Sequence, residues 1–249
     1  MRYTVNNEPI TIPDELDALP WMRGRHTGKP CLIIAGGPSG NEWHGMPNML
    51  RVGINATIGK MNDHLDYWLA MDKGSAKCPW WYLVGTRPAP RACFVWWRMY
   101  RALPPEAKNC YQWIARGFKE GVDPREADAL WGGYPMVHTP GKHPSSTGGS
   151  LMRAMHLMAI AGCSEIHTIG VDLCYHDLDK LHWYDNSIAG PQPLWNKMRC
   201  KYLGLTTNWF FVDTAHFLLD FWEPALQKIG VRWIDHSQGL LQRLGKRDV

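Results

Sequence analysis

Cys31-Leu32-Ile33-Ile34-Ala35-Gly36-Gly37-Pro38-Ser39-Gly40 runs from an apolar segment of strand length straight into a turn of small residues, with Asn41 and Glu42 behind it in a helix-starting position. A strand that empties into such a turn lets backbone N–H groups approach an anion with no side chain in the way. The turn therefore reads as a nucleotide-phosphate cradle, with an ordinary structural strand-to-helix turn as the competing reading. It is neither G-x-G-x-x-G nor G-x-x-x-x-G-K-[ST], which sets aside the dinucleotide fingerprint and the P-loop.

Four further strands are expected, Arg51 to Ile54, Asp66 to Met71, Glu165 to Val171 and Val231 to Asp235, each apolar or β-branched enough for a sheet buried on both faces. A helix is predicted over Ser150 to Ala161, with Leu151, Ala154, Met155 and Met158 on one face and Gly162 as its stop. A second is expected to be capped by Asp213 or Thr214, to bury Phe217, Leu218 and Phe221, to kink at Pro224 and to end at Gly230. Strands alternating with helices predict an α/β fold with a doubly wound, mostly parallel Rossmann-like sheet. Residues 1–30 carry Pro9, Pro13, Pro20 and Pro30 with little periodicity and read as a wrapping arm. Residues 31–249 read as one domain, with a lid-like insertion at 173–210.

A chain of 249 residues with 45% hydrophobic content can bury a real core, and a formal net charge of +4 is too mild to establish a nucleic-acid or membrane partner. The seven cysteines are odd in number, scattered, and never spaced C-x-x-C, so neither a disulfide framework nor a zinc ribbon is indicated and a reducing cytoplasm is expected. No apolar run approaches membrane-spanning length, and the polar start has no signal-peptide pattern, so a soluble protein is expected.

Ligands of open α/β sheets bind beyond the carboxyl ends of the strands. Here those ends are Gly36-Gly37-Pro38-Ser39, Asn55, Asp72 and Asp172, each of which also has a plain reading as a cap or turn former. The loop Ser145-Ser146-Thr147-Gly148-Gly149-Ser150 leads into the predicted helix and offers hydroxyls and N-terminal amides to a phosphate, carboxylate or sugar, or serves only as its cap. After Asp172 comes a segment dense in titratable and aromatic residues, including His176, His182, Trp183 and Tyr184. It suits a lid in which a histidine works as acid or base. Metal ligation by His176 and His182 is the weaker reading, because no third His or Cys sits at zinc spacing. Arg87, Arg91, Arg98 and Arg101 interleave with Trp96, Trp97 and Tyr100, which fits either a nucleic-acid surface or an amphipathic core helix with a basic outer face.

Taken together, Ile33-Ile34-Ala35-Gly36-Gly37-Pro38-Ser39, Gly53-Ile54-Asn55-Ala56, Leu65 to Asp72, Ser146-Thr147-Gly148-Gly149-Ser150 and Glu165 to Asp172 resemble the superfamily joining DUF115/MptE-like proteins to the bacterial sialyltransferases of glycosyltransferase family 42. The order and approximate spacing agree from about residue 28 to about 190. His182-Trp183-Tyr184 resembles a His-Phe/Trp-Tyr element of many members. The resemblance implies a nucleotide-dependent transferase, either a glycosyltransferase using a nucleotide-activated sugar or a pyrophosphokinase moving pyrophosphate from ATP to 6-hydroxymethyl-dihydropterin. Glycosyl transfer leads.

Under that resemblance Gly36, Gly37, Pro38 and Ser39 hold the donor phosphate, Asn55 orients nucleotide or sugar, and Asp72, Ser146, Thr147 and Gly148 bind the donor. Asp172 contacts ribose or base, and His182 is the general base. No metal is expected for glycosyl transfer, whereas Asp72 and Asp172 hold Mg2+ if the pyrophosphokinase reading applies. Two departures stand out. The asparagine of the usual Gly-Asn-Gly-Pro-Ser turn is missing, and Trp80 to Val137 matches neither branch.

Overall fold

In the computed structural model, which describes residues 2–5, 8–86, 90–113, 149–176, 181–184, 188 and 199–245, the chain opens with an antiparallel hairpin of β1 (Arg2–Val5) and β2 (Glu8–Thr11). Helix α1 (Ala18–Met22) follows, capped by the Asp17 carboxylate, which accepts the Leu19 N–H at 3.1 Å. Ala18, Leu19 and Met22 are buried in the main core, so this part of the expected arm contributes packing.

The chain then lays down β3 (Pro30–Ile34), β4 (Leu50–Ile54), the short helix α2 (Ile58–Met61), β5 (Tyr67–Ala70), β6 (Ala92–Trp96) and β7 (Cys110–Trp113). Helix α3 (Ser150–Ile160) leads to β8 (Glu165–Ile169), and a second hairpin, β9 (Arg199–Tyr202) with β10 (Leu205–Asn208), to α4 (Trp209–Phe217). Finally α5 (Glu223–Lys228), β11 (Arg232–Asp235) and α6 (Leu240–Arg243) complete the described chain.

The central sheet has seven strands in the order β11-β8-β3-β4-β5-β6-β7, and every neighbouring pair is parallel. The doubly wound α/β expectation is met. β3 sits inside the sheet with alternate residues facing opposite cores: Cys31 and Ile33 pack with α1 and α3, Leu32 and Ile34 with Trp43, Trp183 and Tyr184. Burying each of Leu32, Ile33 and Ile34 is worth about 1.5–3 kcal/mol, which makes β3 the anchor of both layers. From β3 the chain winds outward through β4 to β7, then returns to place β8 on the other side of β3. The winding reverses between β3 and β8, and a crevice opens at their carboxyl ends.

Four expectations are corrected. The amphipathic helix offered as one of the two readings of Arg87 to Arg101 is, over the described residues, β6 followed by a short turn, because Ala92-Cys93-Phe94-Val95 is an unbroken buried apolar run with no polar face. The helix expected to start at Asp213 or Thr214 starts at Trp209, since the Asn208 side chain accepts the Phe211 N–H at 2.8 Å. Instead of a simple kink, the chain forms a π turn over Leu218–Trp222, where Pro224 cannot donate to the α ladder and crowds the turn before it. Helix α3 is buried along its whole length, so the expected single apolar face is replaced by an enclosed helix.

Candidate functional site

Apart from that of Gly36, the amides of the small-residue turn after β3 bond within the protein. Ala35 N–H donates to the Ile169 carbonyl and Gly37 N–H to the Gly170 carbonyl, both at 2.8 Å, while Gly40 N–H reaches the Gly37 carbonyl at 2.9 Å. Ser39 donates twice to Asp172 Oδ2, from its N–H at 3.2 Å and its hydroxyl at 3.0 Å, and the same hydroxyl accepts the Gly170 N–H at 3.1 Å. The anion seated in this turn is therefore the protein's own Asp172 carboxylate. Asp172 is 1% exposed. Burial pushes its pKa above the ordinary value, against the bonds from Ser39 and the His176 imidazole, whose Nε2 lies 3.2 Å from Oδ1.

The two glycines leave room for neighbours more than for a phosphate. A Cβ on Gly37 would overlap the Asp172 carboxylate and stand 2.5 Å from the Gly170 carbonyl oxygen. A Cβ on Gly36 would stand 2.5 Å from the Tyr184 hydroxyl and 3.3 Å from His182 Nδ1. The His182-Trp183-Tyr184 segment docks directly on the turn. Trp183 donates its indole N–H to the Ala35 carbonyl at 2.8 Å, and His182 Nδ1–H donates to the Gly36 carbonyl at 3.1 Å.

Beside the turn, at the reversal between β3 and β8, lies a cavity of about 310 Å³. Of the residues singled out in the sequence, Gly36, Gly37, Asn55, Asp72, Asp172 and His182 line it together. Pro38 and Ser39 do not line it: Ser39 is buried against Asp172. Ser146, Thr147 and Gly148 lie outside the described residues. The next two residues, Gly149 and Ser150, do line the cavity at the N-terminus of α3, which no side chain among the described residues caps.

Asn55 adopts φ +52° at the end of β4, a left-handed conformation that asparagine tolerates better than most residues. Ser150 holds it there. The Ser150 hydroxyl accepts the Met71 N–H at 3.0 Å and donates to Asn55 Oδ1 at 2.9 Å, leaving the Asn55 amide NH2 as the group on offer to a ligand. Asp72 Oδ1 accepts the Gly74 N–H at 2.9 Å, the bond of a helix cap. Leu173, next to Asp172 in the cavity wall, is also left-handed at φ +53°, held by Thr207, whose hydroxyl donates to its carbonyl at 2.7 Å.

A carbonyl only accepts, so the bond to Gly36 fixes the proton of neutral His182 on Nδ1 and makes Nε2 the basic nitrogen. Burial lowers the His182 pKa below 6.5, only partly offset by that carbonyl, so the imidazole is neutral at pH 7. His176 differs. Its Nε2 faces both Asp172 Oδ1 and Cys174 Sγ, the latter at 3.4 Å. A catalytic triad needs the two ring nitrogens on different partners. Burial also pushes the Cys174 thiol up to about 12, so it is no nucleophile. His176 and His182 thus have separate partners, and among the described residues no group of three or more His, Cys, Asp or Glu is placed to hold a metal ion.

Tyr175 and Tyr184, from the segment expected to form a lid, line the cavity together with Phe210, Phe211 and Thr214, which the sequence did not single out for the site. Phe210 and Phe211 could have been found had Asn208 been read as the helix cap. The arginine and tryptophan stretch stands apart. Arg98 lies 5.2 Å and 4.9 Å from the ring centres of Trp96 and Trp97, and Arg91 pairs with Asp66 at 3.2 Å, so these groups already have partners within the chain. They do not support the nucleic-acid surface, and Arg87 lies outside the described residues. Among the described residues no helix is long and apolar enough to cross a membrane.

No family model matches this sequence, and no curated protein does. The resemblance to the DUF115/MptE-like and family 42 proteins therefore rests on the quoted residues alone. Among solved structures, the MAf glycosyltransferase from Magnetospirillum magneticum AMB-1 is similar at a TM-score of 0.48 and 11% identity, over 94% of this chain and 38% of that one.

Proposed function

We propose that the chain is a nucleotide-dependent transferase that moves a sugar from a nucleotide-activated donor to an acceptor hydroxyl, in the manner of a sialyltransferase. The observation that carries this reading is a neutral, tautomer-fixed histidine, His182, in the same cavity as the N-terminus of α3, at the reversal point of the sheet. The first-turn amides of α3 and its dipole favour the donor's phosphate. His182 Nε2 takes the proton of the acceptor hydroxyl as its oxygen bonds to the sugar's anomeric carbon, and the bond to the phosphate oxygen breaks with its electron pair leaving on the nucleotide. The Asn55 NH2 orients the donor, and the wall of Tyr175, Phe210 and Phe211 offers rings to base or sugar.

Ligand-induced thermal stabilisation across CMP, UDP, GDP and adenine nucleotides tests the reading. A ligand at a hundred times its Kd adds about 2.7 kcal/mol, roughly 5–11 °C for a chain of this size. A panel without any shift overturns it.

Pyrophosphoryl transfer from ATP to a hydroxymethylpterin is the second reading, favoured by Asp72 and Asp172 lining one cavity. Their oxygens fit magnesium poorly, because Asp172 Oδ2 takes two bonds from Ser39, Oδ1 faces His176, and Asp72 Oδ1 caps Gly74. Transfer that survives EDTA supports the sugar reading. Transfer that stops on chelation and returns with Mg2+ replaces it with the pterin reading.

A further inference from the structure

Tyr184 is 8% exposed and lines the cavity, yet its hydroxyl has no hydrogen-bond partner among the described residues. A hydroxyl that reaches the cavity with no such partner is a donor open to a ligand or to water. The ring is firmly placed. It stacks on His182 at 5.0 Å and 12°, and meets Trp183 edge-on at 5.6 Å, whose own indole is tied to the Ala35 carbonyl. The missing side chain at Gly36 is what lets the hydroxyl stand over the turn, beside an N–H that has no backbone partner among the described residues.

The charges around it add a second argument. Among the described residues the cavity lining includes the carboxylates of Asp72 and Asp172 and no lysine or arginine. An anionic ligand there depends on neutral donors. We propose that the Tyr184 hydroxyl is one of them, donating its hydrogen bond to a phosphate oxygen of the bound nucleotide on the Gly36 side of the cavity. This inference rests on the nucleotide reading above. Burial pushes the phenol pKa upward, so the hydroxyl stays a donor throughout the working pH range.

Tyr184→Phe keeps the ring and its stacking and removes only the oxygen. The measurement is calorimetric affinity of wild type and variant for CMP, UDP, GDP and ATP and for the matching nucleosides, with the melting temperature of each ligand-free protein. The expected result is an unchanged melting temperature and nucleoside affinity, with roughly 10-fold weaker binding of the nucleotide that wild type prefers. Equal nucleotide affinity in both proteins overturns the inference and leaves the nucleotide reading standing. So does a lowered melting temperature with unchanged affinity, which makes the hydroxyl a structural group. A wild type that binds none of the four nucleotides overturns the nucleotide reading and this inference with it.

Discussion

Gly37→Ala separates two reasons for a small residue after β3: room for a ligand phosphate, or room for Asp172. The added methyl would overlap the Asp172 carboxylate and lie 2.5 Å from the Gly170 carbonyl oxygen, closer than Cβ atoms are found, and one of those contacts is backbone. The end of β8 or the turn must move. Movement stretches the Gly37 N–H bond to Gly170 and the two Ser39 bonds to Asp172. A neutral bond contributes about 1 kcal/mol net, bonds to a charged group about 1.5–3 kcal/mol each, and overpacking itself about 1–3 kcal/mol. Partial loss of that set gives a destabilisation of about 3–6 kcal/mol, against a total stability of about 5–15 kcal/mol for a typical domain. The melting temperature should fall by roughly 6–24 °C. Thermal and urea unfolding measure it, with Gly45→Ala as the control, because a Cβ there meets nothing within 4 Å. A Gly37→Ala protein with wild-type stability but lost nucleotide binding would refute the packing argument and restore the turn as a phosphate cradle.

Three further outcomes are expected. His182→Ala should lower kcat roughly 10²–10⁴-fold with nucleotide affinity nearly intact, while His176→Ala, whose partner is Asp172, should affect kcat less; steady-state kinetics that reverse the order reject His182 as the base. Since burial lowers the His182 pKa below 6.5, the acid limb of kcat/KM should fall below pH 6.5, and a limb above that value contradicts the assignment. The sign for stability is the same. Between the lowered folded value and 6.5 the unfolded chain binds more protons at His182, and likewise at His26, so stability rises with pH through that window and is lost on acidification.

Local pattern carried the strands that set the sheet. β3, β4, β5, β8 and β11 all fall within a residue or two of the expected segments, because a strand buried on both faces needs a continuous apolar run and the sequence contains few others. β6 has that run too, but Arg91, Trp96, Trp97 and Arg98 around it imitate an amphipathic helix. β7 offers only Cys110-Tyr111-Gln112-Trp113, whose mixed polarity suits an edge strand and stands out little in sequence. The β9–β10 hairpin turns through Leu203 and Gly204, both with positive φ. Leucine is a poor residue for that conformation, so the usual Asn-Gly hairpin signal was missing.

For the site, positions were legible where reasons were not. Strand ends in a parallel sheet must face one edge, so Gly36, Gly37, Asn55, Asp72 and Asp172 could be gathered from sequence order alone, and they do share a cavity. What each of them touches is set by pairings far apart in the chain. Ser39 and Asp172 are 133 residues apart, and Asn55 and Ser150 are 95 apart. A turn rich in small residues looks the same in sequence whether a phosphate or a carboxylate of the protein fills it. Here Asp172 fills it, and the His182-Trp183-Tyr184 segment closes over Gly36 and Gly40. On the proposed nucleotide reading, the donor phosphate is held at the N-terminus of α3 and by the neutral donors around it rather than by the turn. If so, substitutions at Ser39 should act through stability, and substitutions at Tyr184 and Asn55 through affinity.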